Sequence, residues 1–231
     1  YYQDIAERLA AETPNSFYVN QFANPANPLA HETTTGPEIW EQMQGRLDHV
    51  VCGVGSGGTI TGLGRFFRDK APGVQMVLAD PAGSVLAEAV KTGTPAEEVG
   101  SWLVEGIGED FIPPNCDLSL VSDAITVTDK QAFNAARDLL AMEGILAGSS
   151  SGTLLAAALE FCRRQSEPKR VVSFVCDTGN KYLAKAYNDA WMLDNGLLDR
   201  TTHNDLRDLI THRADKGDIF SVGPADTLLT A

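Results

Sequence analysis

Val50-Val51-Cys52-Gly53-Val54-Gly55-Ser56-Gly57-Gly58-Thr59-Ile60-Thr61-Gly62 is the stretch that decides the fold. Val50, Val51 and Cys52 end an apolar run with the character of a buried strand. Gly53, Gly55, Gly57 and Gly58 follow at once, and Ile60, Leu63, Phe66 and Phe67 then recur with helical spacing as far as Pro72-Gly73. A strand, a glycine turn and a helix together make an anion cradle. Glycine lets backbone amides approach closely and accepts positive φ, and the helix start adds unpaired N–H donors with a partial positive charge. Ser56 and Thr59 add hydroxyls.

Outward from this loop, apolar strand-like runs alternate with helical patterns. Residues 74–79, 124–127 and 171–176 read as further buried strands. Helices are expected at 5–12, from Pro37 with Ile39, Trp40 and Met43 as an inner face, and at 84–90. Another follows the capping box Thr128-Asp129-Lys130-Gln131, with Phe133, Ala136 and Leu140 inward and Gly144 as its stop. Two more are expected at 154–164 and from about Asn180 to Trp191. Residues 16–20 suggest a short strand, Phe17 and Val19 alternating with polar neighbours, and residues 21–28 an irregular loop. Gly148-Ser149-Ser150-Ser151-Gly152 reads as a second glycine/hydroxyl turn. The pattern predicts an α/β fold, a mainly parallel sheet with helices on both faces.

The net charge of −13 argues against a nucleic-acid or anionic-membrane partner. No apolar run reaches the length of a membrane helix. Cys52, Cys116, Cys162 and Cys176 are widely spaced, which suits buried free thiols in a reducing cytoplasm. His31, His49, His203 and His212 show no metal spacing. The sequence opens Tyr1-Tyr2-Gln3 without Met and ends within an amphipathic stretch, so both ends are expected to be cut from a longer chain.

The loop alone leaves its ligand open. Gly53, Gly55 and Gly58 satisfy G-x-G-x-x-G, and Asp80 stands at the end of the next strand, where a ribose-binding acid belongs. A purely structural turn fits too. The paired Gly57-Gly58 before Thr59 suits one phosphate monoester wrapped on several sides. Two further stretches carry weight: Asn20-Gln21-Phe22-Ala23-Asn24-Pro25-Ala26-Asn27-Pro28-Leu29-Ala30-His31 and Glu143-Gly144-Ile145-Leu146-Ala147-Gly148-Ser149-Ser150-Ser151-Gly152.

Together these motifs resemble the cystathionine β-synthase/cysteine synthase family of pyridoxal-phosphate enzymes, on the cystathionine β-synthase side, over residues 1–200. The resemblance implies a fold-type II core and a single pyridoxal phosphate. Gly55, Ser56, Gly57, Gly58 and Thr59 match the family's phosphate loop, and Ser150 the serine that meets the pyridine nitrogen. Gln21 matches a substrate-site glutamine, and Gly106, in Gly106-Ile107-Gly108, a loop beside the bound amino acid. A neutral serine, unlike a carboxylate, does not keep that nitrogen protonated, which favours expulsion of a β-leaving group. Asp177 and Thr178 are placed by the preceding strand near the ring's edge, where they also suit a helix cap.

The implied reaction condenses L-serine with L-homocysteine to cystathionine through an aminoacrylate. Cysteine synthase chemistry, with O-acetylserine and sulfide, is the near alternative. A nicotinamide enzyme and a non-catalytic binding subunit are more distant ones. The resemblance further implies amino-acid substrates, a cytoplasmic setting and a homodimer or higher homo-oligomer. The family's Schiff-base lysine lies in a motif that residues 1–231 do not contain, and Lys70, Lys130 and Lys181 read as solvated surface residues. Glu109 departs from the pattern, standing where some relatives carry an aromatic. Residues 201–231 resemble a linker and the beginning of a regulatory CBS module, with a helix around Leu206, Leu209 and Ile210 and a strand at Ile219-Phe220-Ser221-Val222.

Overall fold

The computed structural model describes residues 2–198. The chain runs through α1 (Tyr2–Glu12), α2 (Ala26–Ala30), a π turn (His31–Thr35) and α3 (Gly36–Gln42). It continues with β1 (His49–Cys52), α4 (Gly58–Lys70), β2 (Gln75–Pro81), α5 (Leu86–Thr92) and β3 (Val121–Val127). The last elements are α6 (Asp129–Glu143), α7 (Ser149–Arg164), β4 (Val171–Val172) and α8 (Asp189–Asp194). The strands form one parallel sheet in the order β3-β2-β1-β4.

Side-chain alternation along the strands sends residues to two cores. Val51, Val77, Ala79, Ile125 and Val127 pack against Phe133 of α6, Leu154 and Phe161 of α7 and Met192 of α8. Val50, Cys52, Met76, Leu78 and Ala124 pack against Ile60, Leu63 and Phe67 of α4, with Ile39, Trp40 and Met43 alongside. Both faces of the sheet are thus covered, which is why its strands read as continuous apolar runs rather than alternating ones. The capping box forms as expected, with Thr128 accepting from the Gln131 amide and Gln131 closing back on the Thr128 amide. Gly144 ends α6 in the left-handed conformation at φ 70°.

Several local expectations are corrected. Residues 16–20 form no strand; Phe17 is 84% and Val19 58% exposed, and the flanking Asn15 and Asn20 take positive φ. Residues 21–28 are not wholly irregular: α2 begins at Ala26, whose amide donates to Asn24 Oδ1 in the turn just before the helix. Pro25 and Pro28 fall at the helix start, where a missing N–H costs little. The α3 helix begins at Gly36, in keeping with the start expected at Pro37, and a short helix and a π turn precede it. Ser149, Ser150 and Ser151 lie inside the first turn of α7, not in a turn before it. Only Val171 and Val172 of the fourth run are paired; Val175 and Cys176 are exposed. Cys162 is exposed as well, so only Cys52 and Cys116 are buried thiols. The run after Asn180 is a single 3-10 turn (Gly179–Tyr182) before α8. The elements expected in 201–231 lie outside the described residues. No helix among the described residues is long and apolar enough to cross a membrane.

Candidate functional site

At the carboxyl ends of the strands lies a cavity of about 550 Å³, within the usual size of ligand clefts, roughly 300–1,000 Å³. Gly55, Ser56 and Thr59 line it together with Ser150 and Cys176, and with Gln21 and Gly106. Six of the eight residues singled out in the sequence thus meet in one place. Gly57 and Gly58 are not among its lining residues; both are buried in the turn that leads into α4.

The glycine loop is held by close contacts that a side chain would block. Gly57 takes φ 83° as the residue before α4, with the Cys116 backbone and side chain pressed against it. A Cβ on Gly55 would lie 2.6 Å from the Gly106 carbonyl oxygen, so the phosphate-type loop and the Gly106 loop interlock. The Gly108 amide donates to the Val54 oxygen at 2.8 Å, fixing the same pair of loops. A Cβ on Gly58 would overlap Asn27. That asparagine ties the cradle to the α2 segment: its Nδ2 donates to Ser56 Oγ and to the Gln21 carbonyl, both at 2.8 Å. Asn115 Nδ2 donates to the Gln21 and Asn24 carbonyls at 2.9 and 3.0 Å. Thr59 Oγ1 lies 3.1 Å from His31 Nε2, and His31 Nδ1 lies 3.0 Å from Thr35 Oγ1. Burial lowers the His31 pKa below its ordinary value.

Two helices begin at this cavity, α4 after Gly57 and α7 after Gly148, and neither start carries a side-chain cap. Their first-turn amides are therefore available to a ligand, and their dipoles add positive potential. Among the described residues, no lysine or arginine lines the cavity.

At the α7 end, Ser150 is buried and lines the cavity with Cys176, whose amide donates to Ser151 Oγ at 2.9 Å. Although Cys176 is surface-exposed, the protein around its thiol partly desolvates it and raises its pKa, against the lowering effect of Ser150 and Ser151. Asp177 also lines the cavity; its Oδ2 accepts from Tyr182 at 2.9 Å, while its buried Oδ1 has no partner. Burial, then Asp177, pushes the Tyr182 hydroxyl up to about 12. Thr178 instead caps the following turn through the Asn180 amide.

Asp80 does not face the cavity. It is fully buried, and its Oδ2 accepts from the Ala87 amide of α5. A ribose-binding acid is thereby lost to a dinucleotide reading. Glu109 is anchored through its backbone to Ser84 and Val85. Lys70, Lys130 and Lys181 are exposed, and none lines the cavity. Sequence reasoning missed Asn27, Asn115, His31 and Thr35. The signal for Asn27 was Gly58 itself, a glycine at a helical position with no backbone need for one.

An open parallel sheet with an anion cradle and a second helix start converging beyond its carboxyl edge defines a nucleotide- or phosphate-cofactor enzyme of the α/β class. The family described as pyridoxal-phosphate dependent enzyme matches residues 2–177, and the chain belongs to that family. It is 40% identical to the cystathionine beta-synthase of Apis mellifera over 87% of this chain and 40% of that protein. It is 43% identical to the cystathionine beta-synthase of Oryctolagus cuniculus over 84% of this chain and 35% of that protein. Cysteine synthase A of Escherichia coli (strain K12) is 42% identical over 78% of this chain and 57% of its own length. The chain thus spans well under two thirds of the relatives it matches.

The residues present fit the family's cofactor. A cradle of free first-turn amides with two hydroxyls suits a phosphate monoester. The neutral Ser150 at the other helix start suits a pyridine nitrogen.

Proposed function

We propose that the intact protein replaces the β-hydroxyl of L-serine with the thiol of L-homocysteine, forming cystathionine. One observation supports this reading: the α4 cradle and the neutral Ser150 hydroxyl open into the same cavity. Pyridoxal phosphate, when bound, supplies an electron sink for the bonds broken at the amino acid's α and β carbons. The first-turn amides of α4, with the Ser56 and Thr59 hydroxyls, hold its phosphate. Ser150 would meet its ring nitrogen without fixing a proton there, a setting that favours loss of a β-substituent over transamination. Gln21 and the Gly106 backbone bind the amino acid.

We also propose a homodimer or higher homo-oligomer, a cytoplasmic setting in keeping with four free thiols, and a regulatory module after residue 200. The likeness to a cysteine synthase favours a second reading, sulfide and O-acetylserine as substrates. Product analysis of the full-length protein with serine plus homocysteine, against acetylserine plus sulfide, separates the two. Cystathionine in the first mixture supports the proposal. Cysteine in the second alone replaces it, and no product in either overturns both.

A further inference from the structure

His31 touches the cradle without being part of it. It opens the π turn, whose wider winding ends with the Gly36 amide bonded to the His31 carbonyl. Such turns concentrate at functional positions. The turn sets Thr35 Oγ1 3.0 Å from His31 Nδ1. Gly62 of α4 lets the two helices approach; a Cβ there would lie 2.2 Å from the Pro28 oxygen and 2.7 Å from His31 Cβ. That approach brings His31 Nε2 to 3.1 Å from Thr59 Oγ1. His31, Thr35 and Thr59 all line the cavity.

A neutral imidazole has one donor and one acceptor nitrogen, so this chain can run in two directions. If Nδ1 carries the hydrogen, the ring donates to Thr35 and must accept from Thr59. The Thr59 hydroxyl then shows only lone pairs to the cradle, which repel an anion. If Nε2 carries it, Thr35 donates to Nδ1, the ring donates to Thr59 Oγ1, and the Thr59 hydrogen is free to point at the anion.

We propose that His31 is a positioning residue that holds the Nε2–H tautomer and thereby turns the Thr59 hydroxyl into a donor toward the phosphate in the cradle. This rests on the cradle being the cofactor-phosphate site. Binding and tautomer are linked reciprocally: a phosphate group selects the Nε2–H form, and that form binds the phosphate more tightly. A hydrogen bond to a charged group corresponds to about tenfold or more in affinity.

The test uses full-length protein with ¹⁵N-labelled histidine, titrated with pyridoxal 5′-phosphate and separately with inorganic phosphate. The His31 nitrogen shifts are expected to report the Nε2–H form in the loaded protein. His31→Leu is expected to weaken pyridoxal-phosphate binding about tenfold with the melting temperature of the unloaded protein unchanged. His31→Gln, whose amide donates from a similar position, is expected to restore binding, and adding His31→Leu to Thr59→Val to cost nothing more. An Nδ1–H tautomer in the loaded wild type overturns the proposal, as does wild-type affinity in His31→Leu. If the wild type binds pyridoxal phosphate but His31 shows neither effect, only the role of His31 fails. If the wild type binds none, the cradle assignment fails with it.

Discussion

Gly58→Ala probes the joint between the cradle and the α2 segment. Gly58 is the first residue of α4, and the added methyl would lie 1.9 Å from Asn27 Oδ1 and 2.3 Å from its Cγ. No real contact is that short, so the Asn27 amide must swing away. It then loses both bonds it donates, to Ser56 Oγ and to the Gln21 carbonyl. Each is worth about 1 kcal/mol net, about 2 kcal/mol together. Replacing glycine by alanine in a helix returns at most about 1 kcal/mol. The expected result is a net loss of about 1–2 kcal/mol in urea unfolding, with weaker pyridoxal-phosphate binding because Ser56 is no longer oriented. In an Asn27→Ala background the obstruction is gone, and the same glycine substitution should be neutral or stabilising. A Gly58→Ala protein as stable as wild type and with unchanged affinity would refute the joint. So would an equal loss in both backgrounds.

Asn115→Ala removes the two bonds to the Gln21 and Asn24 carbonyls and should cost about 2 kcal/mol in the same unfolding assay. Stability should also depend on pH. Burial pushes the Asp80 carboxyl up to about 6. Burial, then Asp110 and Asp80, pushes Glu109 up to about 7. Both values lie above the ordinary 3.8 and 4.5, so the folded state holds these protons more tightly. Their stabilisation is complete below the ordinary values and is lost as pH rises through about 6 and 7. Glu109→Gln should flatten the fall above pH 4.5 by about 1–2 kcal/mol, allowing for solvent screening; an unchanged slope contradicts the assignment. Ser150→Asp should protonate the ring nitrogen, shift the visible absorbance of the loaded protein and slow β-replacement about tenfold or more. An unchanged spectrum and rate remove Ser150 from its assigned role.

The sheet and the cradle were legible because their signals are local. Buried parallel strands are continuous apolar runs, and glycines in a loop that must approach an anion leave a compositional mark. The capping box was legible for the same reason, since all its partners lie within four residues. What failed depended on partners distant in sequence. Residues 16–20 alternate like a strand, but no described strand pairs with them. Residues 171–176 are apolar apart from Ser173, yet pairing with β1 ends at Val172, and Phe174, Val175 and Cys176 line the cavity. Asp80 sits where a ribose-binding acid belongs, and only the position of α5 reveals that its carboxylate caps a helix. The prolines at 25 and 28 suggested a loop because the Asn24 turn that leads into α2 was not recognised. Asn27 and His31 reach the site only because Gly58 and Gly62 let helices touch; these glycines hint at a close approach, but the sequence does not say to which partner.

The central claim is that one pyridoxal phosphate spans from the α4 cradle to Ser150. The direct measurement is a crystal structure of the full-length protein grown with pyridoxal 5′-phosphate. The phosphate is expected within hydrogen-bonding distance of the amides of Gly57, Gly58 and Thr59, and the pyridine nitrogen beside Ser150 Oγ. A cofactor lying elsewhere, or with its ring at the cradle and its phosphate at α7, would contradict it.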